Sequence, residues 1–177
     1  MHRLFVAIRP PEVICDLLVD AMDDSADFRW QTNEQLHLTL RFIGEIERPT
    51  ANDLADALSR IRCAPFELKI AGVGRFEQRN SGALWAAVEP RAPVLALASK
   101  VERSCQSAGL DPERRAFHPH ITLARWKGRR TREVQTYLGN IHSLSSEPFF
   151  VHEFILFESR LSRHGAHYEE VASYPLR

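Results

Sequence analysis

Apolar and polar residues follow two different periods along this chain, and each change of period marks an element. Leu4-Phe5-Val6-Ala7-Ile8 is a short continuous apolar run, as a buried strand gives, and Arg9-Pro10-Pro11 breaks it. Val13, Ile14, Leu17, Leu18 and Met22 then recur at helical spacing, and proline in a first turn suits a helix over 11–22. A polar connection through Asp23, Asp24 and Ser25 leads to Phe28-Arg29-Trp30 and on to Leu36-His37-Leu38-Thr39-Leu40. There the period becomes 2, which predicts a half-buried strand running through Ile43 and closed by Gly44. Pro49-Thr50 opens a second helix with Leu54, Leu58 and Ile61 as its buried stripe, and residues 66–70 alternate as a strand. Gly72, Gly74 and the polar run 78–82 predict a turn before the strand 83–88.

The order then begins again. A helix is predicted over 93–107, a loop at Gly109 and Asp111-Pro112, and a strand at His120-Ile121-Thr122-Leu123. A helix over 131–141, a strand over 149–157, a turn around His164-Gly165-Ala166 and a closing strand over 168–171 follow. Ile8 and Val88 stand 80 residues apart and His37 and His120 stand 83 apart, so halves of roughly 1–80 and 81–177 both read strand, helix, His-x-Thr strand, helix, strand. The expectation is one bilobal α+β domain over 1–177. Two pseudo-symmetric lobes of antiparallel sheet carry helices on their outer faces, and the His-x-Thr strands line a central groove.

Composition narrows this little. A chain of 177 residues can bury a real core, and 44% hydrophobic with 26% charged residues is ordinary for a globular protein. Lys plus Arg and Asp plus Glu are equal at 23 each, so any basic binding surface must be local. The apolar run at the N-terminus is too short for a signal peptide, and none approaches the roughly 20 residues a membrane span needs. Cys15, Cys63 and Cys105 are widely spaced without a Cys-x-x-Cys pair, which reads as reduced thiols packed on helices in a cytoplasmic protein.

The chemistry lies in the duplicated motif. Successive strand side chains point to opposite faces, so His37 and Thr39 share one face, as do His120 and Thr122, while Leu36, Leu38, Leu40, Ile121 and Leu123 turn to the core. Two opposed imidazoles can divide the roles of general acid and general base near neutral pH. Two threonine hydroxyls with a nearby arginine offer donors to the oxygens of a phosphate held between them, and phosphoryl transfer asks mainly for such positioning. Arg41, two residues beyond Thr39, shares the face of His37 by simple parity. Arg125 would join His120 only if a bulge intervened.

The two HxTx motifs, His37-Leu38-Thr39-Leu40 and His120-Ile121-Thr122-Leu123, resemble the signature of the two-histidine phosphoesterase superfamily. Within it the chain is similar to the RNA 2′,3′-cyclic phosphodiesterases, also called 2′-5′ RNA ligases. The likeness extends to Arg3–Ile8, Trp30, Phe42-Ile43-Gly44, Gly72-Val73-Gly74-Arg75-Phe76, Leu84-Trp85, Phe117-His118-Pro119, Ala124-Arg125, Tyr168 and Tyr174-Pro175-Leu176. The resemblance implies hydrolysis of RNA 2′,3′-cyclic phosphate ends to 2′-phosphates, reversible as 2′-5′ ligation. It implies His37 as the acid that protonates the leaving ribose oxygen, His120 as the base that activates water, and Thr39 and Thr122 as phosphate ligands.

Around these residues the plainer readings are weighed. His118 with His120, or His164 with His167, could pair on a metal, but without Cys or carboxylates at ligand spacing neither a metal nor another cofactor is expected. The basic run Lys127, Arg129, Arg130, Arg132 is by default a solvated loop, although beside a phosphate site it could grip an RNA backbone. Phe42 and Trp30 are candidates to stack a base. The expected partners are RNA ends carrying 2′,3′-cyclic phosphate, tRNA fragments among them, or cyclic nucleotides such as ADP-ribose 1″,2″-cyclic phosphate, with no membrane and the protein a monomer. A non-catalytic RNA- or nucleotide-binding module is the alternative from another class; it has no need of an acid and a base facing each other.

Overall fold

A computed structural model describes all of residues 1–177. In chain order its elements are β1 (His2–Ile8), α1 (Glu12–Asp20), β2 (Arg29–Trp30), a 3-10 turn (Asn33–Gln35), β3 (Leu38–Ile46), α2 (Arg48–Ser59) and β4 (Phe66–Gln78). They continue as β5 (Ser81–Glu89), α3 (Arg91–Ser107), β6 (His120–Lys127), α4 (Thr131–Ile141), β7 (Phe149–Val151), β8 (Glu153–Ser162) and β9 (Gly165–Pro175). The strands form one antiparallel path in the order β7-β4-β5-β6-β3-β1-β8-β9, with β2 alongside β6. The two His-x-Thr strands therefore lie side by side at the middle of the sheet.

Alternation sorts the two faces. Leu4, Val6 and Ile8 of β1, Leu38 of β3, Leu84, Ala86 and Val88 of β5 and Ile121 of β6 share a single buried cluster with Leu18, Leu54, Leu97 and Val134 of the four helices. Phe5, Ala7, Ile155 and Phe157 face the other way and pack with Tyr168. The groove lies on that second face. No helix is long and apolar enough to cross a membrane.

Each lobe draws on both halves of the chain. β4 of the first half pairs with β5 of the second, and β8 of the second pairs with β1 of the first. Helix α3, which follows β5, packs on β3, and α2 packs on α3. Tyr137 of α4 hydrogen-bonds the carbonyl of Ala21 at the end of α1 (2.7 Å). The halves thus exchange their third strands and their first helices, while the strand order stays palindromic about the β6–β3 junction.

Several boundaries differ from the sequence reading. β4 does not turn at Gly72 but runs on through Gly74 to Gln78, leaving Arg79-Asn80 as the hairpin. Gly72 has φ +95 beside an irregularity in register, and an added Cβ on Gly74 would meet the Trp85 ring at 2.4 Å, so both glycines serve the strand. Gly44 likewise sits inside β3 at φ +82 rather than closing it. Cys15 and Cys105 are buried on helices as expected, but Cys63 lies in the loop after α2.

Candidate active site

The only ladder pair between β3 and β6 is Leu38 opposite Ile121. Both side chains are buried in the core, so their neighbours His37, Thr39, His120 and Thr122 turn to the groove. The antiparallel register places His37 beside Thr122 and Thr39 beside His120, with the two histidines on the diagonal. A pseudo-twofold axis through the Leu38–Ile121 pair brings the two motifs into one site.

Both imidazoles are fixed in the same way. The Nδ1–H of His37 donates to the carbonyl of Gln35 and that of His120 to the carbonyl of His118, each at 2.6 Å and each two residues upstream. A carbonyl only accepts, so Nδ1 carries the hydrogen and the Nε2 lone pair of the neutral ring is left for the groove. Aromatic rings hold the imidazoles from behind. Phe5 (4.8 Å between centroids) and Tyr168 (5.3 Å) pack on His37, while Phe76 (4.8 Å) and Trp85 (6.1 Å) pack on His120. Phe5 and Trp85 are 80 residues apart, the same offset as Ile8 and Val88, so the repeat extends to the packing beneath the histidines. The sequence reading gave these aromatics no role beside the histidines; the 80-residue offset was the signal that marks Phe5 and Trp85.

The turn before His37 is tightly built. Thr32 and Gln35 form a capping box, and Arg9 donates to the carbonyls of Asn33, Glu34 and Leu36. Gln35 also reaches the carbonyl of Ala166 at the β8–β9 hairpin (2.7 Å), which carries Tyr168 two residues on.

Bulges immediately after each motif decide where the arginines go. On β6 Thr122 pairs with Trp85 and Ala124 with Leu84, so Leu123 is the extra residue. The parity of the strand reverses there, and Arg125 arrives on the same face as His120 and Thr122. On β3 Ala7 pairs with Thr39 and Val6 with Arg41, so Leu40 is the extra residue, 83 positions before Leu123. Arg41 is thereby turned from the face it was expected to share with His37. Its guanidinium is held by Glu102 (2.6 Å) and Glu113 (3.2 Å) and donates to the carbonyl of Asp111 (2.7 Å). That network fixes the loop leading to the second motif, and the charge of Arg41 is matched by carboxylates. Phe42 takes the groove position equivalent to Arg125 and is 52% exposed.

Burial pushes the His37 imidazole down to about 4; its bond to Gln35 works in the opposite direction, and the charges of His120, Arg125 and Arg9 add to the depression. His120 is also lowered, again mainly by burial, with the bond to His118 opposing and the charges of His118 and Arg125 assisting. Burial raises the Tyr168 hydroxyl, while Arg125, Arg29 and Arg3 act the other way. The cavity beside these groups measures about 1240 Å³ and is lined by Thr39, Phe42, Phe76, His118, His120 and Arg125, with Arg29, Lys127 and Arg130 further along. Arg129 and Arg132 of the basic run lie outside that lining, and Trp30 packs against Tyr137 in the core instead of facing the groove. His164 and His167 are exposed on the β8–β9 hairpin and lie outside the cavity lining.

A curled antiparallel sheet with twin His-x-Thr strands at its centre defines the class. The sequence profile of the 2′-5′ RNA ligase superfamily matches residues 10–161, and the chain belongs to that family. It is 33% identical over 159 residues to an RNA 2′,3′-cyclic phosphodiesterase of Geobacillus stearothermophilus, covering 86% of this chain but only 49%, about half, of that protein. It is 32% identical to an RNA 2′,3′-cyclic phosphodiesterase of Thermus thermophilus, covering 99% of this chain and 90% of the relative. The crystal structure of Escherichia coli LigT in apo form superposes with a TM-score of 0.84 at 26% identity, covering 99% of this chain and 97% of that one.

Proposed function

We propose that this protein is a hydrolase that opens the 2′,3′-cyclic phosphate at the end of an RNA and leaves a 2′-phosphate. The observation that carries the reading is the pair of matched Nδ1–carbonyl bonds, which leave both Nε2 atoms free on the strand face that also carries Thr39, Thr122 and Arg125. Water attacks phosphorus opposite O3′. His120 Nε2 accepts the water proton as the P–O bond forms, and His37 Nε2 delivers a proton to O3′ as the P–O3′ bond breaks. The two threonine hydroxyls and the Arg125 guanidinium hold the non-bridging oxygens where charge develops. A proton passed through solvent from His120 to His37 restores the starting state.

Run in the same direction with a 5′-hydroxyl in place of water, so that the new P–O5′ bond forms as P–O3′ breaks, the same atoms form a 2′-5′ linkage. Phe42 is the exposed aromatic available to a base. Every group in the scheme comes from one chain, so a monomer suffices, and the three free cysteines accord with a reducing cytoplasm. The names of the relatives support the substrate class, with tRNA fragments as natural carriers of such ends.

The test is direct. Purified protein is mixed with a short RNA ending in 2′,3′-cyclic phosphate, with and without EDTA, and the product is followed by phosphorus NMR. Conversion to a 2′-phosphate at the same rate in EDTA is expected, because side chains supply every proton and donor in the scheme. A rate abolished by EDTA and restored by Zn²⁺ or Mn²⁺ would replace it with a metal-assisted mechanism.

A further inference from the structure

The two sides of the groove treat a polyanion differently. Beyond the bulge at Leu123, β6 carries Arg125 and Lys127 on its groove face, about 6.6 Å apart along the strand. Arg29 of β2 pairs directly across from Arg125. Like charges directly opposite one another on neighbouring strands destabilise a sheet. Neither arginine has a carboxylate at ion-pairing distance, nor does Lys127. The acidic side chain at hand, Asp27, is engaged by Arg130 at 3.4 Å. Gln78 and Ser81 add uncharged polar groups to the same stretch of lining. Across the pseudo-twofold axis the equivalent of Arg125 is Phe42, and Arg41 is neutralised by Glu102 and Glu113. An unmatched basic row on one side faces an aromatic and a closed ion-pair network on the other.

A terminal cyclic phosphate has nucleotides on its 5′ side alone, so the rest of the strand must leave the groove in a single direction. We infer that the internal phosphates of a single-stranded RNA leave along Arg29 and Lys127, past Arg125. This rests on the phosphodiesterase reading above and narrows it: the preferred substrate is an oligonucleotide, not a lone cyclic nucleotide. The cost of setting Arg29 opposite Arg125 is offset when phosphates occupy the row.

The test compares kcat/KM for uridine 2′,3′-cyclic phosphate with kcat/KM for a short single-stranded RNA ending in the same nucleotide, over a range of KCl. The oligonucleotide is expected to be preferred by about tenfold or more per internal phosphate engaged, since one charge-assisted contact has that scale. Its log–log salt slope should be steeper by about 0.7 for each such contact. Arg29→Gln and Lys127→Gln should each lower the preference and the slope. Arg132→Gln, which removes the same charge outside the groove lining, should change neither. Lys127 is exposed at the end of β6, so its variant keeps the test valid if Arg29→Gln fails to fold. Equal kcat/KM and equal slopes for the two substrates, or an Arg132→Gln effect matching that of Lys127→Gln, would overturn the inference while leaving the phosphodiesterase reading intact. Turnover of neither substrate by the wild-type protein would overturn both.

Discussion

At the scale of single residues, the groove before substrate arrives disfavours protons. Both histidines are depressed below the usual 6.5, His37 to about 4, because burial penalises the imidazolium and Arg125 repels it. Acid–base catalysis needs one proton on the pair, and with both groups lowered that state gives way to the neutral pair as pH rises. The pH optimum of kcat/KM, which reports the free protein, is therefore expected below 6.5, with activity falling toward pH 8. The cyclic phosphate of the proposed substrate is an anion that would raise both groups, so the falling limb of kcat should lie at higher pH than that of kcat/KM. Limbs that coincide, or a kcat/KM level up to pH 8, would contradict this. Arg125→Ala removes a positive charge that lowers both histidines, so it should move the kcat/KM optimum to higher pH while reducing its height; Arg125→Lys should restore the position of the optimum. The histidines and threonines were legible in the sequence because alternation alone sets their face. Parity alone misplaced Arg41, one residue beyond the bulge at Leu40, and admitted Arg125, two residues beyond the bulge at Leu123, only on condition of such a bulge.

At the scale of elements, the site depends on irregularities in otherwise regular strands. The bulges at Leu40 and Leu123 occupy equivalent places in the two repeats, and each re-aims the residues after a motif. One brings Arg125 to the groove face; the other sends its arginine to Glu102 and presents Phe42. Gly74 shows the same dependence, since the Trp85 ring that backs His120 lies directly over it. Gly74→Ala should force that ring aside at a cost of about 1–3 kcal/mol in stability. It should lower kcat more than it raises KM, because the displaced ring supports an acid–base group and not a substrate contact. A variant with unchanged kcat and an unchanged unfolding midpoint would show that the ring can move without consequence. The turn was predicted over Gly72, Gly74 and the polar run 78–82. The hairpin lies in that run, at Arg79-Asn80, while the two glycines belong to the strand, because glycine marks a close approach in a strand as readily as a turn.

At the scale of the whole molecule, the two halves of the chain exchange strands within one sheet. The pattern in the sequence was sufficient for the α+β class and for the central place of the motif strands. The exchange of β4 and β8 between lobes was not legible, since pairing partners are chosen by packing across the sheet and not by local period. The Leu38–Ile121 pair carries the junction, with both side chains at most 1% exposed. Leu38→Ala should therefore cost about 2–5 kcal/mol in urea unfolding; a loss below 1 kcal/mol would mean that the lobes are held elsewhere. The central claim is that two imidazoles, aimed from the two lobes, work as one acid–base pair. Its most direct test is the single-turnover rate of His37→Ala, His120→Ala and the double variant on an RNA ending in 2′,3′-cyclic phosphate, with folding checked by thermal unfolding. Each single change is expected to lower the rate about 10²–10⁴-fold. The double change should lower it by far less than the product of the two, as for residues that act as a unit. A correctly folded single variant retaining near wild-type turnover would contradict the account.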